Sequence, residues 1–192
     1  YFASTYNLSI AHYYLEQYDA ALNSINQAIQ LSPKTDSSKE KLILTKGNIL
    51  FKNGNIQEAV KYFEAFIKTN NSPRIKHKLS EIYFELKQFE EYKKLYISEE
   101  NKIFTEDEEV IKKLIQIAEE QQNFDLLREL LKKYYQISHN KDWLTGKSND
   151  FYENKDFKFA LVYYDVLFST DETNIINGMK YAELLLNSGY LD

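Results

Sequence analysis

Residues that could carry chemistry are few in this chain, and each stands alone. Gly146-Lys147-Ser148 has the last three residues of a phosphate-cradling loop. That loop also requires a glycine five residues before Gly146 and a preceding strand. Position 141 is Lys, and no strand pattern precedes it. His12, His77 and His139 are widely separated, and no two have the i, i+4 spacing that puts two imidazoles on one helix face for zinc. The chain contains no cysteine, which removes disulfides, thiolate metal sites and a thiol nucleophile together. Glu106, Asp107, Glu108 and Glu109 form an acidic run at a helix start, where negative charge complements the helix dipole. General acid–base chemistry needs carboxylates poised in a cleft, and nothing singles out a pair here. Asn7-Leu8-Ser9 and Asn70-Asn71-Ser72 fit the glycosylation sequon. However, Leu8 and Ser9 belong to an apolar pattern, and Pro73 disfavours the second site. The residues therefore predict no enzyme, no metal and no cofactor.

The 192 residues carry 24 Lys plus Arg against 29 Asp plus Glu, a net charge of −5. That balance argues against a nucleic-acid binder, which shows basic excess. The apolar runs are a few residues long, too short to span a bilayer. A 43% hydrophobic, 28% charged composition suits a folded chain. The scarcity of Gly (5) and Pro (2) implies long regular elements. Residues 1–15 lack the basic start and apolar core of a signal peptide, and the absence of cysteine leaves the compartment open.

What positions the residues is a repeat. Tyr18, Ile56, Phe89, Phe124, Phe157 and Leu191 recur at intervals of 33 to 38. Three residues after the first five come Ala21, Ala59, Tyr92, Leu127 and Ala160. Four further on come Ile25, Phe63, Tyr96, Leu131 and Tyr164. Nine residues before the first column lies a mostly small one: Ser9, Gly47, Ser80, Ile115, Ser148 and Ala182. A single helix pair cannot bury its apolar face, whereas stacked neighbours can. Small residues let two helices cross closely, and aromatics fill the wedge between pairs, which accounts for 16 Tyr and 12 Phe.

The spacing predicts helices near 4–16, 19–31, 39–53, 56–69, 73–87, 89–98, 106–121, 124–137, 141–154, 157–169 and 173–188. Ser37-x-x-Glu40 and Thr105-x-x-Glu108 read as capping boxes, and Ser72-Pro73 as an N-cap followed by Pro at the first helical position. The loop 32–38 is longer than the period needs. The segment 99–106 breaks the helical pattern and is expected to be a soft point.

The 34-residue period with two helices per unit resembles the tetratricopeptide repeat. The pattern is carried by Leu8, Ser9, His12, Ala21, Ile25 and Pro33 in residues 6–33, and by Gly47, Gly54, Ala59 and Phe63 in residues 47–63. The resemblance covers essentially the whole chain. It implies an all-α, right-handed α-solenoid, a single array over 1–192 with repeats near 2–34, 40–72, 73–105, 108–140 and 141–173 and a partial one over 174–192.

The resemblance further implies a non-catalytic scaffold that binds a peptide or helix of a partner protein in a groove lined by the first helix of each unit. The groove-facing residues carried over are Tyr6, Ile10, Tyr13, Lys41, Leu44, Asn48, Phe51, Arg74, His77, Lys78 and Glu81, flanked by Tyr14, Lys52 and Phe84. The later units contribute Glu109, Lys112, Gln116, Glu119, Glu120, Asp142, Thr145, Asn149, Tyr152 and Glu153. Of the carboxylate clamp used by co-chaperones in the family, Arg74 and Lys78 match, while Tyr6, Ile10 and Thr45 replace the rest. Two other functions fit the same pattern: a sensor module of a larger bacterial regulator, and an accessory array attached to an enzyme domain. The segment 177–190 is apolar on more than one side. The chain is therefore expected to continue past Asp192 with at least one more helix, and within these residues the exposed face is expected to be covered by another copy of the chain or by a tail.

Overall fold

A computed structural model describes residues 1–32, 36–98, 102–170 and 175–187, with the side chains of residues 36 and 37 outside the description. Within them the chain is all-α. The helices are α1 (Phe2–Tyr14), α2 (Tyr18–Leu31), α3 (Asp36–Lys52), α4 (Ile56–Ile67), α5 (Pro73–Glu85), α6 (Phe89–Tyr96), α7 (Glu108–Glu120), α8 (Phe124–Ser138), α9 (Lys141–Glu153), α10 (Phe157–Thr170) and α11 (Ile175–Asn187). All eleven lie within two residues of the predicted bounds, except that α3 starts three earlier. The chain divides into two compact units, Tyr1–Leu95 and Tyr96–Asp192. The first holds α1 to α5 and all but the last residue of α6; the second holds α7 to α11.

In the first unit α1 packs on α2, α2 on α3, α3 on α4, and α5 on both α3 and α4. In the second α7 packs on α8, α8 on α10, and α10 on both α9 and α11. The repeat columns make these contacts. Ala21, Ala59, Tyr92, Leu127 and Ala160 are fully buried, as are Ile25, Phe63, Leu131 and Tyr164. In the small column Ser9, Ser80 and Ser148 are buried hydroxyls that need a partner. Each finds it one turn back in its own helix, donating to the carbonyls of Tyr6 (2.6 Å), His77 (2.7 Å) and Thr145 (2.9 Å). Ala182, the last member of that column, is exposed.

One turn joins the two helices of every described pair. At Glu16, Gly54, Lys87, Gln122 and Lys155 the backbone is left-handed, with φ between 52° and 82°. The next residue's N–H reaches back five residues each time, as in Gln17 to His12, Asn55 to Leu50, Gln88 to Tyr83, Asn123 to Ala118 and Asp156 to Phe151. This Schellman arrangement satisfies the helix-end carbonyls and stops the helix. Glycine takes the conformation freely only at Gly54; the other four side chains adopt it at a steric cost.

Ser72 caps α5 as predicted, its Oγ accepting from the Ile75 N–H at 3.2 Å with Pro73 following. At α7 the expected capping box at Thr105 is not the cap. Asp107 is, its carboxylate accepting from the N–H groups of Glu109 and Val110. Thr105 instead accepts from the Asp107 N–H at 3.2 Å, so the helix starts two residues later than predicted. Asn123 and Asn140 cap α8 and α9. The break after α6 is a short antiparallel bridge between Ile97 and Ile103, and residues 99–101 of the expected soft point lie outside the described residues. The Ser37 box, Pro33, most of loop 32–38 and Leu191 also lie outside the described residues or side chains.

Candidate functional site

In the first unit, the first helix of each pair lies next to its counterpart in the following pair. The Tyr6 hydroxyl on α1 is 3.1 Å from Thr45 Oγ1 on α3, and Lys41 Nζ sits 4.4 Å from the Tyr6 ring centre. Glu40 on α3 faces Arg74 on α5, with Nε 3.9 Å from Oε1. Tyr6, Lys41 and Arg74 therefore stand on adjoining helices. Two of their contacts run through residues outside the predicted set, Thr45 and Glu40. A short polar residue and a carboxylate have no signature of their own in sequence; only the helix-to-helix register exposes them.

Further along α5, Lys78 pairs with Glu81 at 2.9 Å, and His77 Nδ1 lies 3.7 Å from the same carboxylate. Arg74 is 78% exposed, so its ion pair adds little to stability and leaves the guanidinium available to a ligand. Ile10, Leu44, Asn48 and Phe51 are half-buried. Tyr13 is half-buried and packs edge-on against Tyr14 (5.6 Å) and Tyr18 (6.0 Å). Tyr14 is 79% exposed, whereas Phe84 packs on Phe89 and Tyr92. His12 is half-buried at the turn, its Nδ1 2.8 Å from Gln17 Oε1.

In the second unit several of the corresponding side chains are engaged by neighbouring helices. Glu119 is only 15% exposed. It accepts a hydrogen bond from Tyr163 and lies 3.6 Å from Lys147 Nζ, which sits 5.9 Å from the Trp143 ring and 5.6 Å from the Phe151 ring. Burial, with the charge of Glu119 beside it, holds the Tyr163 phenol far above its usual range. Asn149 Oδ1 accepts from both Tyr164 (2.6 Å) and Lys180 (2.7 Å). Tyr152 donates to Glu183 at 2.8 Å. Lys112 bonds Glu108 and Glu109, and the Glu108 hydrogen bond is the main reason its ammonium is held above the usual range. Glu119 was expected to face the groove; it is instead the hub that ties α7 to α9 and α10.

The units also differ in charge. Residues 1–95 carry 13 Lys plus Arg against 10 Asp plus Glu, a net +3; residues 96–192 carry 11 against 19, a net −8. Among the described residues, no three His, Asp or Glu side chains converge as metal ligands, and no helix is long and apolar enough to cross a membrane.

Two segments, residues 4–35 and 41–73, match the tetratricopeptide repeat. A TPR repeat-containing protein of Methanocaldococcus jannaschii, MJ1428, is 34% identical over 92 residues. The match takes in 48% of this chain and 16% of that relative's length, so this chain corresponds to a small part of it. Among solved structures, a tetratricopeptide repeat protein from Parabacteroides merdae superposes with a TM-score of 0.63 at 17% identity, over 98% of this chain and 73% of the other. The C-terminal part of a TPR repeat-containing protein from Cytophaga hutchinsonii gives 0.60 at 18% identity, over 97% and 72%. Repeats of this kind generally mediate protein–protein interactions and are generally scaffolds rather than enzymes. The two matched segments are the first two helix pairs, the later pairs repeat the same columns and the same left-handed turn, and the fold is that of tetratricopeptide-repeat proteins.

Proposed function

We propose that this chain is a non-catalytic interaction module whose ligand-binding face lies in the first unit, on α1, α3 and α5, and that it takes an extended peptide or helix carrying acidic residues. The observation that carries this reading is the row Tyr6, Lys41 and Arg74 across three adjoining helices, with Tyr13 and Tyr14 beside it. Tyrosines give large contact area at low entropy cost, and exposed cations steer an acidic ligand. The positive balance of this unit favours the same ligand. In the second unit three of the equivalent residues, Glu119, Asn149 and Tyr152, are bonded to side chains of neighbouring helices.

A photo-crosslinking residue placed at Tyr13 or Lys41, compared with one at Asn23 or Lys61 on the second helices, tests the placement against a displayed library of random peptides. The reading requires enrichment of acidic peptides crosslinked only from Tyr13 and Lys41. Crosslinking from Asn23 and Lys61 instead, or selection with no acidic bias, contradicts it.

A further inference from the structure

Arg74, His77 and Lys78 stand on one stretch of α5, and each already faces a carboxylate of this chain. Lys78 and His77 share Glu81, about one turn further along the same helix, at 2.9 Å and 3.7 Å. Arg74 faces Glu40, which reaches across from α3. The two arrangements differ in kind. The Lys78 ammonium donates a hydrogen bond to Glu81, an i, i+3 pair of the sort an exposed helix forms on its own. Glu40 Oε1 stops 3.9 Å from Arg74 Nε, beyond hydrogen-bond reach. At that distance a carboxylate does not fix the guanidinium plane; it lowers the positive potential around it. The Arg74 side chain is 78% exposed and that of Glu40 31%, so the carboxylate is the more enclosed partner and most of the guanidinium fork stays in solvent. Glu40 is also next in sequence to Lys41, whose ammonium lies over the Tyr6 ring. One negative charge therefore stands within the row Tyr6, Lys41 and Arg74.

We infer that Glu40 is an internal counter-charge that sets the affinity and selectivity of the face on α1, α3 and α5, an acidic ligand having to compete with it for Arg74. The inference rests on the reading of that face as the binding site for acidic segments. With Glu40 in place, a ligand gains at Arg74 only the difference between its own carboxylate and the resident one. A ligand carboxylate seated bidentately on the fork makes a stronger contact than the one Glu40 makes at 3.9 Å, and prevails. A negative charge that merely passes near the face meets Glu40 as a repulsive element. Glu40 thus weakens binding in general and poorly fitted acidic segments most.

The probe is capped, dye-labelled decaglutamate, titrated with the whole chain at low ionic strength, where screening is weak, and read by fluorescence anisotropy. Glu40→Gln keeps the side chain's size and removes its charge. It is expected to lower Kd about two- to fivefold, the scale of an exposed ion pair. Glu58→Gln makes the same charge change at an exposed position on α4 and is expected to shift Kd far less. In an Arg74→Gln background the gain from Glu40→Gln is expected to fall to the level of the Glu58 control, because the two charges act through one another. Circular dichroism checks that every variant keeps its helicity. If Arg74→Gln weakens binding but Glu40→Gln leaves Kd unchanged or raises it, the inference is overturned and the face stands. A gain that persists in full without Arg74 also overturns it, assigning the effect to overall charge. Binding by Arg74→Gln equal to that of the wild type, or no saturable binding of decaglutamate at all, overturns the face itself and the inference with it.

Discussion

Gly47 of α3 lies so close to the ring of Phe63 of α4 that a β-carbon on Gly47 would overlap the ring atoms. Both residues are buried, and Phe63 is fully enclosed, so the ring has nowhere to retreat. Gly47→Ala should therefore destabilise the first unit by about 1–3 kcal/mol, despite the better helix propensity of alanine. Pairing it with Phe63→Leu should recover part of the loss, a coupling that a double-mutant cycle in urea measures. Simple additivity of the two changes would show that the ring is not what excludes the β-carbon.

The Ala column makes the same argument from the other helix. Ala59 is fully buried, and Ala59→Leu should overpack its crossing at a cost of about 1–3 kcal/mol. A variant that melts like the parent would place Ala59 away from a close crossing.

The period and the residue size in each column were legible because burial at a helix crossing leaves a periodic trace in the sequence. The turns left almost none. Five pairs use the same left-handed residue, but Glu16, Lys87, Gln122 and Lys155 disguise it, and Gly54 alone betrays it. The α7 cap was misplaced because Thr105 and Asp107 are both good caps two residues apart, and the choice depends on where the chain leaves the Ile97–Ile103 bridge. Of the predicted binding residues, the register placed Tyr6, Lys41 and Arg74 on adjoining helices. It could not foresee that Glu119 turns to Tyr163, since a carboxylate on a first helix reads as solvent-facing until its neighbour is known.

The turns yield a stabilising change. Lys155 has φ of 64°, where a side chain clashes with its own backbone. Lys155→Gly should raise stability by about 1 kcal/mol, and Gly54→Ala, at φ of 82°, should lower it by about 1–2 kcal/mol. Thermal melts of the two variants should move in opposite directions.

Alkaline pH should unfold the chain through its buried and half-buried phenols. Tyr163, Tyr83 and Tyr181 are all shifted upward, first by burial and then by their carboxylate partners Glu119, Glu64 and Asp165. A phenol whose folded pKa is raised keeps its proton while the unfolded chain loses it, so its stabilisation is complete below about pH 10 and drains away above it. Tyr163→Phe should weaken this alkaline dependence and cost about 1.5–3 kcal/mol near neutrality, the loss of a hydrogen bond to a charged acceptor. Denaturant melts at neutral pH and above pH 10 separate the two effects.

The most direct test of the interaction face is charge reversal scored by binding. With an acidic peptide selected on the wild-type chain, Arg74→Glu together with Lys78→Glu should raise Kd at least tenfold, about 1.4 kcal/mol, with helicity unchanged. Reversing Glu120 and Glu153 on the second unit, Glu120→Lys with Glu153→Lys, should change it far less. An unchanged Kd in the first variant, or an equal or larger loss in the second, would contradict the assignment of the face to α1, α3 and α5.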